Sequence, residues 1–129
     1  MSIELWALLT AGLMVYLSIF LQTNHASLVL GVRHSLSNRD TPVEETPLGG
    51  RLRRATANSI ESIAVFAPLV VVGQLADISN VWTQYAAVAF LISRVLYLPA
   101  YALGLVPART MIWTLGFFAL PVFTYGLLS

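Results

Sequence analysis

The sequence contains no cysteine and no lysine, and charged residues make up only 10% of its 129 positions. The lack of cysteine excludes a disulfide framework, a thiolate metal site and a protein thiol as nucleophile, so any thiol chemistry must arrive with a small molecule. A formal net charge of +1 is too small to indicate a nucleic-acid partner. The sequence shows no pattern typical of a metal site, a Ser-His-Asp triad, a phosphate loop or a dinucleotide-binding turn.

Hydrophobic residues are abundant instead, at 57% of the sequence, and the mean hydropathy is +0.77. A soluble domain of this length could not bury so much apolar surface, so the composition indicates a membrane protein. Four apolar segments approach the ~20 residues that cross a bilayer as a helix. They predict helices over about residues 3–37, 49–76, 79–104 and 107–128. We therefore predict one all-α integral membrane domain over residues 1–129, a four-transmembrane-helix bundle.

The distribution of arginine predicts how the bundle is oriented. The connection between the first two helices holds or borders Arg33, Arg39, Arg51, Arg53 and Arg54. The third connection has Arg109, whereas the second, DISN, has only an aspartate. Because cytoplasmic loops are enriched in arginine and lysine, we expect the first and third connections to be cytoplasmic and both termini to face the other side. The compact loops and the lack of lysine favour a bacterial inner membrane.

Arg94 is the one arginine that topology does not explain. It lies inside the third apolar segment, where an unpartnered guanidinium costs roughly 3 kcal/mol or more. Glu61 lies inside the second segment, and the helical rise of about 1.5 Å per residue places the two at similar depth. An ion pair between Glu61 and Arg94 is therefore geometrically possible, within one chain or between two. The simplest interpretation is that this pair only holds the bundle together.

Two helix faces have more polar groups than such a pair requires. The first carries Arg54, Asn58 and Glu61, spaced i, i+4 and i+7, and the second carries Arg94, Tyr97 and Tyr101, spaced i, i+3 and i+7. Arg33 and Arg109 are expected at the same end of the bundle. The surplus of arginine suggests an anionic ligand with more than one carboxylate, and Glu61 could bind an ammonium group on it. A small zwitterionic peptide meets both requirements.

Three stretches, taken in order, resemble one known family. RATANSIE followed by FAPLVVVG matches its second-helix signature, SRVLYLPAYALG followed by PARTMIW matches its third helix and the start of its fourth, and LGVRHSL matches the end of its first. The chain thus resembles the MAPEG family, the membrane-associated proteins in eicosanoid and glutathione metabolism. The resemblance implies a homotrimer that binds glutathione between neighbouring subunits near the cytoplasmic face.

The resemblance also implies roles for individual residues. Those expected to bind glutathione are Arg33, Arg54, Asn58, Glu61, Arg94, Tyr97 and Tyr101. Arg109 matches the arginine that lies beside the glutathione sulfur and is the expected catalytic residue, with Tyr101 assisting. Ala57, Tyr97 and Thr110 stand where some members have arginine, histidine and serine, which argues against a eukaryotic eicosanoid substrate.

The expected function is a membrane-embedded glutathione transferase or peroxidase acting on lipophilic electrophiles or lipid hydroperoxides that arrive among the membrane lipids. Arg109, together with the dipole at its helix N-terminus, would stabilise the thiolate. Two alternatives stay open. One is a non-catalytic lipid-binding or scaffolding protein of the same fold. The other is a small transporter in which Glu61 couples protons to a substrate.

Overall fold

The computed structural model describes residues 1–129 and consists of helices without a strand. In chain order the helices are α1 (Ile3–Leu30), α2 (Val32–Ser35), α3 (Pro47–Leu75), α4 (Val81–Ala102) and α5 (Val106–Leu128). The four longer helices are each long and apolar enough to cross a membrane. The prediction of an all-α bundle with four membrane spans is confirmed.

The first helix is interrupted where the sequence pattern predicted continuity. α1 ends at Leu30 because Gly31 adopts a φ of 85°, a conformation that residues with a side chain rarely take. The Gly31 N–H still bonds to the Ser27 carbonyl, and the chain then forms the single turn of α2. In place of one helix through residue 37, the structure therefore has α1, a break at Gly31 and the short helix α2.

Local signals in the sequence fix the starts of α3 and α4. Thr46 caps α3 by accepting a hydrogen bond from the Gly49 N–H at 3.0 Å, and Pro47 occupies the first turn. Asn80 and Thr83 form a reciprocal capping box at the start of α4. These caps satisfy backbone donors that the apolar interior of a membrane could not.

The packing places α4 at the centre of the bundle. α4 packs against α1, α3 and α5, whereas α1 and α5 have no Cα atoms within 8 Å of each other. α4 and α5 approach most closely, and a Cβ added at Gly126 would lie 2.9 Å from a Thr83 side-chain carbon. α3 and α5 pack only lightly, which leaves a crevice between them.

Two apolar clusters lie one above the other inside the bundle. The larger is built around three rings: Phe66 stacks on Phe90 with 4.1 Å between ring centroids and meets Phe123 edge to face at 5.6 Å. The smaller contains Leu52, Ala55, Tyr97, Leu98 and Tyr101. Only 26 of the 129 residues are buried, and many large hydrophobic side chains are exposed. The outer surface is therefore largely apolar, as expected for a protein whose solvent is lipid.

The two ends of the bundle differ in polarity. The end that holds the α1–α3 and α4–α5 connections carries all arginines except Arg94, and we call it the arginine end. At the opposite end Glu4 is only 1% exposed. One Glu4 carboxylate oxygen accepts hydrogen bonds from Thr83 at 2.7 Å and Ser79 at 2.9 Å. These bonds join the start of α1 to the start of α4.

Candidate functional site

Arg94 lies between the two apolar clusters and is 4% exposed. Its Nη1 donates to Asn58 Oδ1 at 3.2 Å and to Ser62 Oγ at 2.9 Å, both on α3. Its Nε donates to Ser93 Oγ at 3.1 Å, and the guanidinium carbon lies 4.9 Å from the centre of the Tyr97 ring. Neutral oxygens and an aromatic face thus solvate this buried cation.

Glu61 does not pair with Arg94 within the chain. The one ion pair in the structure joins Arg53 to Glu45 at 2.8 Å, on the surface of the arginine end. Glu61 is exposed in the isolated chain, although it lines the same crevice as Arg94. The intrachain pair considered from the sequence is therefore absent, and the Glu61 carboxylate is free to receive a positive group.

Tyr101 is the meeting point of two further arginines. The Arg54 Nε donates to the Tyr101 hydroxyl oxygen at 3.0 Å, across the α3–α4 contact. The Arg109 guanidinium carbon lies 4.7 Å from the centre of the same ring, and that of Arg54 lies 5.9 Å from it. Because the hydroxyl oxygen accepts from Arg54, its own proton remains available to an anionic partner.

An aromatic bridge links the Tyr101 cluster to the buried Arg94. The Tyr97 and Tyr101 rings meet edge to face with 5.5 Å between centroids, and both side chains are buried. Arg94 lies over the Tyr97 ring and Arg109 over the Tyr101 ring. The second face predicted from the sequence, Arg94 with Tyr97 and Tyr101, is therefore one connected surface that α5 joins through Arg109.

A crevice of about 220 Å³ opens between α3 and α5 beside this surface. Its polar lining residues are Asn58, Glu61, Ser62 and Arg94, and its apolar ones include Val65, Trp113, Phe117 and Leu120. Trp113 and Phe117 of this lining stack with 5.0 Å between ring centroids, and both side chains are exposed. An opening with one carboxylate, one guanidinium and an aromatic wall suits an amphiphilic or zwitterionic molecule.

Arg33 is not part of this arrangement in a single chain. It lies on α2, beyond the break at Gly31, and its side chain is exposed. No hydrogen bond, ion pair or cation–π contact joins Arg33 to the other candidate residues. The structure thus brings together seven of the sequence-predicted residues in two linked groups: Arg54, Tyr101 and Arg109 in the first, and Asn58, Glu61, Arg94 and Tyr97 in the second.

Three residues at the site were not predicted from the sequence. Ser62 and Ser93 hold Arg94, and Gly116 of α5 lies against it. Ser62 follows Asn58 by four residues, so helical spacing could have placed it on the same face. Nothing in the local sequence of α5 marks Gly116, because its role depends on how closely α4 and α5 approach.

The similarity of this chain to known proteins extends over nearly its whole length. The model of the MAPEG family matches residues 3–129. The protein belongs to the MAPEG family. Membership supports, at the level of the family, a membrane protein with a glutathione-related transferase or peroxidase function. No curated protein and no solved structure matches the chain.

Proposed function

We propose that this MAPEG protein is a glutathione-dependent transferase, with peroxidase activity at the same site, acting on lipophilic molecules that reach it from the bilayer. The observation that supports the proposal is the placement of two guanidinium groups, Arg54 and Arg109, on one buried tyrosine, Tyr101. A cluster with two positive charges and a free hydroxyl proton can stabilise a thiolate. The folding of an apolar bundle does not require such a cluster.

Glutathione fits the groups that the chain offers. It has two carboxylates and one ammonium, and the site has guanidinium groups for the former and the unpaired Glu61 for the latter. Asn58 lines the crevice between Glu61 and Arg94 and can orient a peptide through its amide. We therefore assign peptide binding to Arg54, Asn58, Glu61, Arg94 and Tyr97, with Arg54 nearest the reacting end.

When bound, glutathione supplies a thiol that can add to an electrophilic carbon or reduce a hydroperoxide. A free thiol has a pKa near about 8.5, and positive surroundings lower it. Arg109 lies in the first turn of α5, so the positive end of the helix dipole adds to its own charge. Tyr101 can donate its hydroxyl proton in a hydrogen bond to the sulfur while Arg54 holds the hydroxyl oxygen in place.

We further propose that the working unit is a homotrimer in a bacterial inner membrane, with the arginine end on the cytoplasmic side and both termini on the other. Two features support a multimer. Arg33 lies apart from the site in its own chain, and the exposed Glu61 carboxylate would be costly against lipid. A neighbouring subunit would cover Glu61 and bring its own Arg33 to the peptide.

Titration of the purified protein with glutathione tests this function. A ligand that binds only the folded state raises apparent stability by about 2.7 kcal/mol at a hundred times its dissociation constant, so the melting temperature must rise with glutathione. The same preparation must consume glutathione with a lipophilic aryl halide or a lipid hydroperoxide. The Arg54→Ala variant should lose both, whereas Arg53→Ala, which removes an exposed arginine, should not.

Each alternative gives a different result in these assays. Glutathione binding without any turnover would contradict the enzyme and favour a lipid-binding or scaffolding role. No binding, combined with a proton-coupled flux in liposomes that requires Glu61, would contradict the proposal and support a transporter.

A further inference from the structure

Three nitrogens of the Arg94 guanidinium are available as donors, and the structure uses only two of them. Nη1 bonds to Asn58 and Ser62, and Nε bonds to Ser93. Nη2 makes no hydrogen bond within the chain. Nη2 is not among the polar atoms sealed from solvent, so a ligand in the crevice can reach it and supply the acceptor that a guanidinium nitrogen at membrane depth needs.

The position of Nη2 is defined by α5. A Cβ built on Gly116 would lie 2.8 Å from Arg94 Nη2 and 2.3 Å from Ser93 Oγ, closer than real Cβ atoms come. The guanidinium and the Ser93 hydroxyl therefore occupy the space that any side chain at Gly116 would take. Arg94 and Gly116 both line the α3–α5 crevice, so this nitrogen lies at the inner wall of an opening to the outside.

The serines fix the guanidinium from the other sides. Ser62 donates to the Asn58 carbonyl at 2.8 Å while it accepts from Nη1, and Ser93 donates to the Phe90 carbonyl at 2.8 Å while it accepts from Nε. Each hydroxyl thus has one defined orientation, with its lone pairs toward Arg94. Two sides of the guanidinium are held, and rotation that would withdraw Nη2 would break both sets of bonds.

We propose that Gly116, with Ser62 and Ser93, positions Arg94 so that Nη2 binds a carboxylate group entering the α3–α5 crevice. The inference rests on the proposed function where the carboxylate belongs to glutathione. A lipid acid offers the same group, with Val65, Phe117 and Leu120 available to its chain. Both ligands would place a carboxylate at the inner end of the crevice. α5 contributes to this binding site through Gly116.

The test compares ligands that differ only in this group. Dissociation constants are measured by calorimetry on the purified full-length protein for glutathione and for its two monoamides, each with one carboxylate neutralised. A second arm compares a medium-chain fatty acid with the alcohol of equal length. A charge-assisted hydrogen bond is worth roughly tenfold or more in affinity, so one carboxylate in at least one arm must show that preference.

Gly116→Ala should abolish the preference by displacing the guanidinium, so that the acid binds no better than its neutral analogue. Gly126→Ala is the matched control, because its Cβ would meet Thr83 and Trp82 atoms at 2.9 Å in the same α4–α5 contact. Gly126 lies ten residues beyond Gly116 on α5 and does not contact Arg94. That variant should keep the preference even where it lowers the melting temperature. If Gly116→Ala does not fold, Ser62→Ala must reduce the preference instead, and Ser62→Thr, which keeps the hydroxyl, must restore it.

The outcomes separate this inference from the proposed function. Glutathione binding and turnover with no carboxylate preference in either arm would leave the enzyme standing and overturn the inference. A preference that survives in folded Gly116→Ala would overturn the role of Gly116. A fatty-acid preference without any glutathione binding would support the carboxylate position and contradict the proposed function.

Discussion

Arg54 on α3 donates a hydrogen bond of 3.0 Å to the hydroxyl of Tyr101 on α4, and Arg109 on α5 lies over the same tyrosine ring. Three helices therefore meet at one side chain. The bond fixes the hydroxyl oxygen as an acceptor, and the guanidinium carbons of Arg54 and Arg109 lie 5.9 Å and 4.7 Å from the ring centre. The chemical role that we propose for Tyr101, at the hydroxyl, can therefore be separated from its structural role at the ring.

Tyr101→Phe separates these roles. The ring and its two cation–π contacts remain, so folding and glutathione affinity should change little. The hydrogen bond to the sulfur is lost, and a hydrogen bond to a charged group is worth roughly 1.5–3 kcal/mol, which corresponds to a fall in kcat of about tenfold or more. Steady-state kinetics with an aryl halide gives kcat and KM separately. An unchanged kcat would exclude the hydroxyl from the reaction, and Tyr97→Phe provides the control on the neighbouring ring.

Arg109→Ala should raise the pKa of bound glutathione and leave most of its affinity. The variant removes a positive charge beside Tyr101, while Arg54, Asn58 and Arg94 still hold the peptide. Each pKa unit corresponds to about 1.36 kcal/mol of lost thiolate stabilisation. The ultraviolet absorbance of the thiolate, followed against pH with glutathione in excess, measures the shift. Arg53→Ala is the matched control, and a thiolate signal that persists undiminished in Arg109→Ala would remove Arg109 from the mechanism.

The sequence was sufficient for the helices and for each polar face taken alone. Arg94, Tyr97 and Tyr101 lie together as their spacing predicted, because spacing within one helix is fixed by its geometry. It was insufficient for contacts between helices. Glu61 and Arg94 line the same crevice, but Arg94 donates its hydrogen bonds to Asn58 and Ser62 instead.

The same limit explains the two other differences. The apolar pattern continues through Gly31, so it could not show that a backbone φ of 85° ends α1 and moves Arg33 away from the site. Gly116 matters only because α5 lies against Ser93 and Arg94, and a glycine in an apolar helix has many possible reasons. Both facts depend on tertiary geometry that helical periodicity does not contain.

Because Glu61 and Arg94 do not form an ion pair, we expect substitutions at Glu61 and at Ser62 to have different effects on stability. Glu61→Gln should not lower the unfolding free energy by more than about 0.5 kcal/mol, since Glu61 has no ion-pair partner in the chain to lose. Ser62→Ala should cost about 1–3 kcal/mol, because it removes a 2.9 Å acceptor from a buried cation. Denaturation of the detergent-solubilised protein, without ligand, measures both. A large loss in Glu61→Gln and none in Ser62→Ala would show that the ion pair forms after all.

Glu4 allows a prediction at the opposite end of the bundle, where substitutions should affect stability without affecting the site. One Glu4 oxygen accepts from Thr83 and Ser79, and the other has no partner although it is buried. Glu4→Gln keeps an oxygen acceptor for both hydroxyls and should be mild, whereas Thr83→Val removes a 2.7 Å donor and also disrupts the α4 cap. We expect Thr83→Val to cost about 1–3 kcal/mol and glutathione affinity at the arginine end to stay unchanged.

Thermal denaturation and glutathione titration of the two variants test this separation. The control is Ser79→Ala, which removes the weaker of the two donors and should fall between Glu4→Gln and Thr83→Val in stability. If Glu4→Gln proves as costly as Thr83→Val, the negative charge itself stabilises the fold, through the N-terminal dipoles of α1 and α4 that both meet at this carboxylate. A loss of glutathione affinity in these variants would contradict the independence of the two ends, because Glu4 contacts no residue of the Tyr101 cluster.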